Sequence, residues 1–289
     1  MITLYTDTDT DMTPEMAEEY GYKMIAMPFT IEGKEYLPFV DYDVFDYKTY
    51  YGKLRSGIIP TTSSISAQNY IDYFEPEFAA GNDVLYVHFS SQLSKTFEQM
   101  SVAYEELKER YPERTLYTID TKGISIMALG IACDVADMFH AGKSVDEILE
   151  WAREGIYHRA LYMFADDLTF LHRGGRVSGG AAFVGNMIGI RPIICNNAEG
   201  KLVPCGKERG RVNAINRLVS YMDELGEDVT AHRIFISHTD CEEYAEGIKK
   251  KIIERYGSDV DITIIVANPT IGAHGGPGTI GVSFSAKHR

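Results

Sequence analysis

Short apolar runs alternate with capped, helix-like segments along the first half of this chain, and that alternation restricts the fold more than any other feature. Residues 2–5, 24–30, 84–89 and 116–119 read as strands. Between them, Thr13 offers a capping hydroxyl, Pro14 suits a first helical turn and Gly21 can take the left-handed stop conformation. Residues 43–55, 94–110 and 125–140 read as helices, with Gly57 and Gly142 just past two of them. Ser144 and Glu147 have the spacing of a capping box, so another helix is expected up to about residue 158. Strands alternating with helices of this length imply an α/β domain with a mostly parallel sheet.

The second half has a different rhythm. Residues 161–165 read as a strand, 168–172 as a short helix and 173–180 as a Gly-rich break. Residues 192–196 and 201–205 flank the turn Asn197-Ala198-Glu199-Gly200, which predicts a hairpin. Helices are expected over 211–225 and 242–256, and strands over 234–237, 262–266 and 280–284. A hairpin beside strand–helix units predicts a mixed α/β sheet. At 289 residues, two domains are the natural division, 1–158 and 159–289, with a short joint between them.

Charge excludes some functions. The formal net charge is -14, and the one basic run, Lys249-Lys250-Lys251, is flanked by Glu246 and Glu254 on a helix. That is a solvated face rather than a phosphate-binding surface, so no nucleic-acid partner is expected. The longest apolar stretch, 181–190, is too short to span a bilayer, and the first residues do not read as a signal peptide. Cys133, Cys195, Cys205 and Cys241 form no C-x-x-C pair, which fits a reducing, cytoplasmic setting and suggests no zinc site.

Five segments carry possible chemistry. Thr61-Thr62-Ser63-Ser64-Ile65-Ser66 precedes a helix and offers hydroxyl donors to an anion, or simply a cap and turn. Ser90-Ser91-Gln92-Leu93-Ser94-Lys95-Thr96 follows a strand and opens a helix, where ligands gather in parallel sheets. Thr6-Asp7-Thr8-Asp9-Thr10-Asp11 lacks the Gly and distal Glu of a calcium loop, so Asx-turns and capping are expected and no metal. Arg176 lies in the run His172-Arg173-Gly174-Gly175-Arg176-Val177-Ser178, either as a fork for carboxylate or phosphate or as a solvated Arg at a joint. His274, in Gly272-Ala273-His274-Gly275-Gly276-Pro277-Gly278, could donate to an anion, move a proton or sit exposed on a tight turn.

These segments, in this order, resemble the DegV family of bacterial fatty-acid-binding proteins. The resemblance covers nearly the whole chain. It runs through Asp7, Thr62-Ser63, Ser91-x-Leu93-Ser94-x-Thr96, Asp120-Thr121, Gly174-Gly175-Arg176-Val177-Ser178, Ile190-Arg191-Pro192-Ile193 and Gly272-Ala273-His274-x-Gly276-Pro277-Gly278. It implies a two-domain DegV-like fold with the ligand cleft between the domains. It also implies a lipid carrier rather than an enzyme, with no cofactor, that presents a long-chain fatty acid to a fatty acid kinase for acyl phosphate formation. By resemblance, Thr62, Ser63 and Ser94 contact the carboxylate, His274 lies near it, and Arg176 serves the kinase or the phosphate. Lys95 stands where the family usually has Gly, and Ser64-Ile65 replaces the usual Gln-Pro.

The physics agrees with such a ligand. One charge needs several donors in place of water. The tail needs a dry tunnel, and 181–190 is a candidate wall or ordinary core. Burying each methylene gains about 0.8 kcal/mol, so a long chain contributes on the order of 10 kcal/mol gross. The alternative is a lipid hydrolase or acyl transferase using Ser94 and His274.

Overall fold

The structure, a computed structural model, describes residues 1–40, 45–178 and 189–289. Strands β1 (Ile2–Asp7), β2 (Tyr22–Ile25), β6 (Asp83–His88) and β7 (Leu116–Asp120) form an all-parallel sheet in the order β2-β1-β6-β7. Helices α1 (Pro14–Tyr20), α3 (Ala67–Ala79) and α4 (Thr96–Arg110) supply the crossovers, and α5 (Ile126–His140) follows the last strand. The local signals work as expected. Thr13 accepts from the Met16 N–H, and Gly21 ends α1 at φ 70°. Ser144 and Glu147 close a reciprocal capping box on α6 (Val145–Gly155).

The second sheet is mixed. It comprises β8 (Arg159–Phe164), β9 (Ile190–Asn196), β10 (Leu202–Arg209), β11 (Ile234–His238), β12 (Ile262–Val266) and β13 (Ile280–Ser285). The order is β10-β9-β8-β13-β11-β12, with only β11 and β12 parallel. Helices α8 (Arg211–Leu225) and α9 (Glu242–Tyr256) bury Leu218, Met222, Ile248 and Ile252 in its core. Helix α5 packs against β8, β11 and β13 as well as its own sheet. It is buried on nearly every side, and one apolar cluster runs from Leu85 and Ile126 to Leu161 and Phe235. A helix that apolar must be covered all round, so α5 becomes the shared layer between the sheets.

The region expected as one strand over 24–30 divides. β2 ends at Ile25, and Phe29–Ile31 (β3) pairs instead with Lys34–Tyr36 (β4) and Thr61–Thr62 (β5) in a small antiparallel sheet. Pro28 has no N–H to continue a ladder. The N–H groups beside it are taken by side chains, Ala26 by Tyr73 Oη and Met27 by Thr8 Oγ1. Thr62 therefore reaches its place on this small sheet, not on a strand-to-helix turn of the parallel one. The helix expected over 43–55 is seen as α2 (Tyr47–Arg55), capped by Asp46. Two short helices complete the frame, α7 (Leu168–Gly174) and α10 (Pro269–Gly275). The expected turn around His274 is thus the last turn of a helix, because Asn268 caps it and Pro269 starts it. No helix among the described residues is long and apolar enough to cross a membrane.

Candidate ligand-binding site

In the parallel sheet the chain leaves β1 toward β2 on one side and β6 toward β7 on the other. The gap beyond the carboxyl ends of β1 and β6 is therefore the switch point at which such sheets hold ligands. A cavity of about 680 Å³ opens there and runs down between the two sheets. That volume lies within the roughly 300–1,000 Å³ usual for small-molecule sites.

One end of the cavity is polar. Thr62, Ser63, Ser94, Arg176 and His274, all expected from sequence, line it together. Asp9, Ser91 and Thr270 join them. Much of the remaining lining is apolar, with Phe97 and Ile126 from α4 and α5, Leu161 and Met163 from β8, and Leu202 from β10, beside hydroxyls such as Ser125, Ser237 and Thr239. Gly281 on β13 also lines it; a Cβ there would stand 3.1 Å from the Met163 Cβ. The tunnel wall expected over 181–190 lies, apart from Gly189 and Ile190, outside the described residues.

His274 is held from both directions. Thr62 Oγ1 and His274 Nε2 are 2.9 Å apart. The cap residue Asn268 fixes the start of α10. Its side chain accepts from the Thr270 and Ile271 N–H groups and donates to Asp11 Oδ1 at 2.8 Å. Asp11 Oδ1 also accepts from the Asn268 N–H, and its other oxygen accepts from Ser125. Asp11 therefore ties the loop after β1 to α10 and α5 at once. Burial, helped by the Arg176 charge, pushes the His274 imidazole down to about 4, so it is neutral at neutral pH. Its Nδ1 is buried without a partner. Gly174 explains how close the chain can come there, since a Cβ on it would lie 2.6 Å from His274 Nδ1.

Arg176 sits exposed at the cavity edge. Its Nε donates to the Leu93 carbonyl at 3.2 Å and its Nη1 to the Gly174 carbonyl at 2.7 Å. It is anchored rather than free at a joint. Ser94 accepts from the Thr96 N–H at 3.2 Å, which leaves its own proton available. Lys95 also lines the cavity.

From the sequence alone, Asp9 reads only as a turn former. In the structure its carboxylate accepts from Thr270, and it keeps part of its surface open to the cavity. Burial pushes it up to about 7, against the lowering effect of Thr270; the Asp11 charge raises it further and Arg176 lowers it. Nothing local marks Asp9 out from Asp7 and Asp11, because its environment is made by α10, 260 residues along the chain. Among the described residues, no group of three His, Cys, Asp or Glu is arranged to hold a metal ion.

A family model described as an uncharacterised protein of the DegV family matches residues 1–287. A DegV domain-containing protein of Clostridium perfringens is 33% identical over 281 residues, covering 97% of this chain and 96% of its own. A DegV family protein from Thermus thermophilus, which binds fatty acid, superposes with a TM-score of 0.87 at 22% identity, over 99% of both chains. The fatty acid binding protein DegV of Bacillus subtilis gives a TM-score of 0.84 at 26% identity, over 99% of both chains.

Proposed function

Because the chain belongs to the DegV family, we propose that it binds one long-chain fatty acid in this cavity and presents the carboxylate to a separate fatty acid kinase. The observation that carries the reading is the two-ended lining. Apolar side chains from α4, α5 and the second sheet surround the length of the cavity, and hydroxyls, an imidazole and an Arg gather at one end. Thr62 and Ser94 donate to the carboxylate, Ser63, whose hydroxyl donates to Glu35 at 3.1 Å, must turn to join them, His274 positions Thr62, and Arg176 stands at the mouth. The two sheets belong to domains 1–158 and 159–289, which makes the cavity an interdomain site. Native mass spectrometry of the purified protein tests this directly. One co-purified long-chain acid per chain is expected; an empty protein that takes up no such acid would refute it.

The hydrolase alternative has little support. A base held near 4 abstracts protons poorly at neutral pH. His274 Nε2 faces Thr62 rather than Ser94, and no carboxylate orients its Nδ1.

Asp9 makes retention pH-dependent. A carboxylate entering beside ionised Asp9 would put two negative charges in one buried site, so the complex keeps a proton on Asp9. Free Asp9 titrates at about 7. Above that pH binding must take up a proton, so affinity for a fluorescent fatty acid should fall up to about tenfold per pH unit between pH 7 and 8. Between pH 6 and 7 it should change little. Asp9→Asn should remove the dependence, and an equally steep fall in that variant would show that Asp9 is not its source. The same raised value makes the folded state bind more protons than the unfolded one between about pH 4 and 7, so this group's contribution to stability declines as pH rises through that window.

Arg176 is placed to meet the charge that develops on phosphoryl transfer. With a fatty acid kinase and ATP, Arg176→Ala should lower acyl phosphate formation on the order of tenfold or more while lipid stays bound. Loss of the lipid itself would reassign Arg176 to ligand binding.

A further inference from the structure

The edge hairpin β9–β10 carries two cysteines that the fatty acid site does not use. Its ladder pairs Val203 with Cys195 and Pro204 with Ile194, then skips to Gly206 with Ile193. Cys205 is the extra residue of this bulge. Side chains two apart on a strand share a face, so Cys205 lies on the same face as Val203 and its partner Cys195. The ladder thus sets the two thiols beside each other on one face, close enough for each to shift the ionisation of the other. Cys205 is exposed and Cys195 half-buried, and the Cys205 thiol also approaches the Ile193 carbonyl at 3.6 Å.

The surroundings differ for the two sulfurs. Tyr221 of α8 reaches the Cys205 carbonyl with its hydroxyl at 3.5 Å and stacks on Tyr162, the β8 neighbour of Cys195, at 3.8 Å. The Arg217 guanidinium lies 3.9 Å over the Tyr221 ring. The neighbouring Cys195 thiol, with Tyr221 and Arg217 adding to it, holds Cys205 below the ordinary thiol value, while Cys205 and burial push Cys195 up. An exposed thiol that is the more readily ionised, beside a half-buried one, is the arrangement of a reactive and a resolving cysteine. The other two cysteines have neither feature. Cys133 and Cys241 are buried, and desolvation pushes them up to about 12 and about 11.

We propose that Cys205 and Cys195 form a hydroperoxide-reactive dithiol, with Cys205 attacking and Cys195 resolving. The Cys205 thiolate attacks one peroxide oxygen. An S–O bond forms as the O–O bond breaks, and two electrons pass from sulfur to the peroxide. The departing alkoxide, or hydroxide from hydrogen peroxide, takes a proton and leaves as alcohol or water. Cys195 then attacks the sulfenic sulfur; the S–S bond forms, the S–O bond breaks, and hydroxide leaves with the Cys195 proton as water. An external thiol reverses the product by exchange.

The test uses the intact chain with one equivalent of hydrogen peroxide, read by intact mass and alkylation. The wild type should lose two hydrogens and two alkylatable thiols within one chain, and dithiothreitol should restore both. Cys195→Ser, which keeps a hydroxyl donor beside the sulfur, should stop at a sulfenic acid on Cys205 that dimedone captures. Without peroxide at neutral pH, Cys205 in Cys195→Ser should alkylate at least about tenfold faster than Cys195 in Cys205→Ser. Arg217→Met should slow Cys205 severalfold. Oxidation of all four cysteines at similar rates, disulfides only between chains, or equal alkylation rates of the two variants would overturn the proposal. The wild-type measurement decides even if a variant fails to fold.

Discussion

Met163→Trp should empty the cavity of long-chain acids while leaving the fold in place. Met163 stands on β8 opposite Gly281 and projects into the space between the sheets. It is only half-buried, so a larger side chain at this point grows into the cavity and not into packed core. Relative to the Met side chain, an indole adds the volume of roughly two to three methylenes. At about 0.8 kcal/mol each, the tail loses about 2 kcal/mol, on the order of thirtyfold in affinity. Short-chain acids, whose tails stop before Met163, should bind as before. Native mass spectrometry and displacement of a fluorescent acid measure both. Undiminished retention of a long-chain acid would place the tail elsewhere.

Arg159→Ala should cost about 3 kcal/mol of stability, read from the urea midpoint. Arg159 opens β8 and is 3% exposed. Its guanidinium donates to the Arg233 carbonyl at 3.3 Å, pairs with Asp134 of α5 at 3.5 Å, and lies 5.8 Å over the Phe235 ring. Gly130 makes room for it, since a Cβ there would come within 2.4 Å of the guanidinium. Burying an ion pair contributes little by itself, because desolvation offsets the attraction. Removing one partner is different, because the other is left without its counter-charge, at about 3–5 kcal/mol. Asp134 is partly exposed and can hydrate, which puts the expected loss at the lower end. Arg159→Met keeps the aliphatic packing but removes the charge, so it should lose nearly as much. A clearly smaller loss would show that packing, not charge, holds this joint between α5 and the second sheet.

Several elements could be read directly from neighbouring residues. Thr13, Pro14 and Gly21 bracket α1, and Ser144 with Glu147 opens α6. The turn Asn197-Ala198-Glu199-Gly200 closes its hairpin, with Asn197 Oδ1 accepting from the Glu199 and Lys201 N–H groups. The split after Ile25 was harder to see. Pro28 was its only local sign, and the side chains that replace the ladder, Thr8 and Tyr73, come from elsewhere. The two-residue strand Thr61–Thr62 has too few residues for any alternation to register, and it exists only because β3 is there to pair with it.

By itself, the sequence determined the alternation of strands and helices, the caps, and the residue types gathered in Thr62-Ser63, Ser94, Arg176 and His274. Those signals are local: a cap or a side-chain period acts over one or two turns of chain. Only the tertiary structure decided that these residues line one cavity. Thr62 and His274 meet across 212 positions, and the loop holding Asp9 is tied to α10 through an Asp11–Asn268 contact spanning 257. It also decided their charge. His274 is neutral and Asp9 poised near neutrality because desolvation depends on what surrounds a group in three dimensions, which neighbouring sequence does not specify.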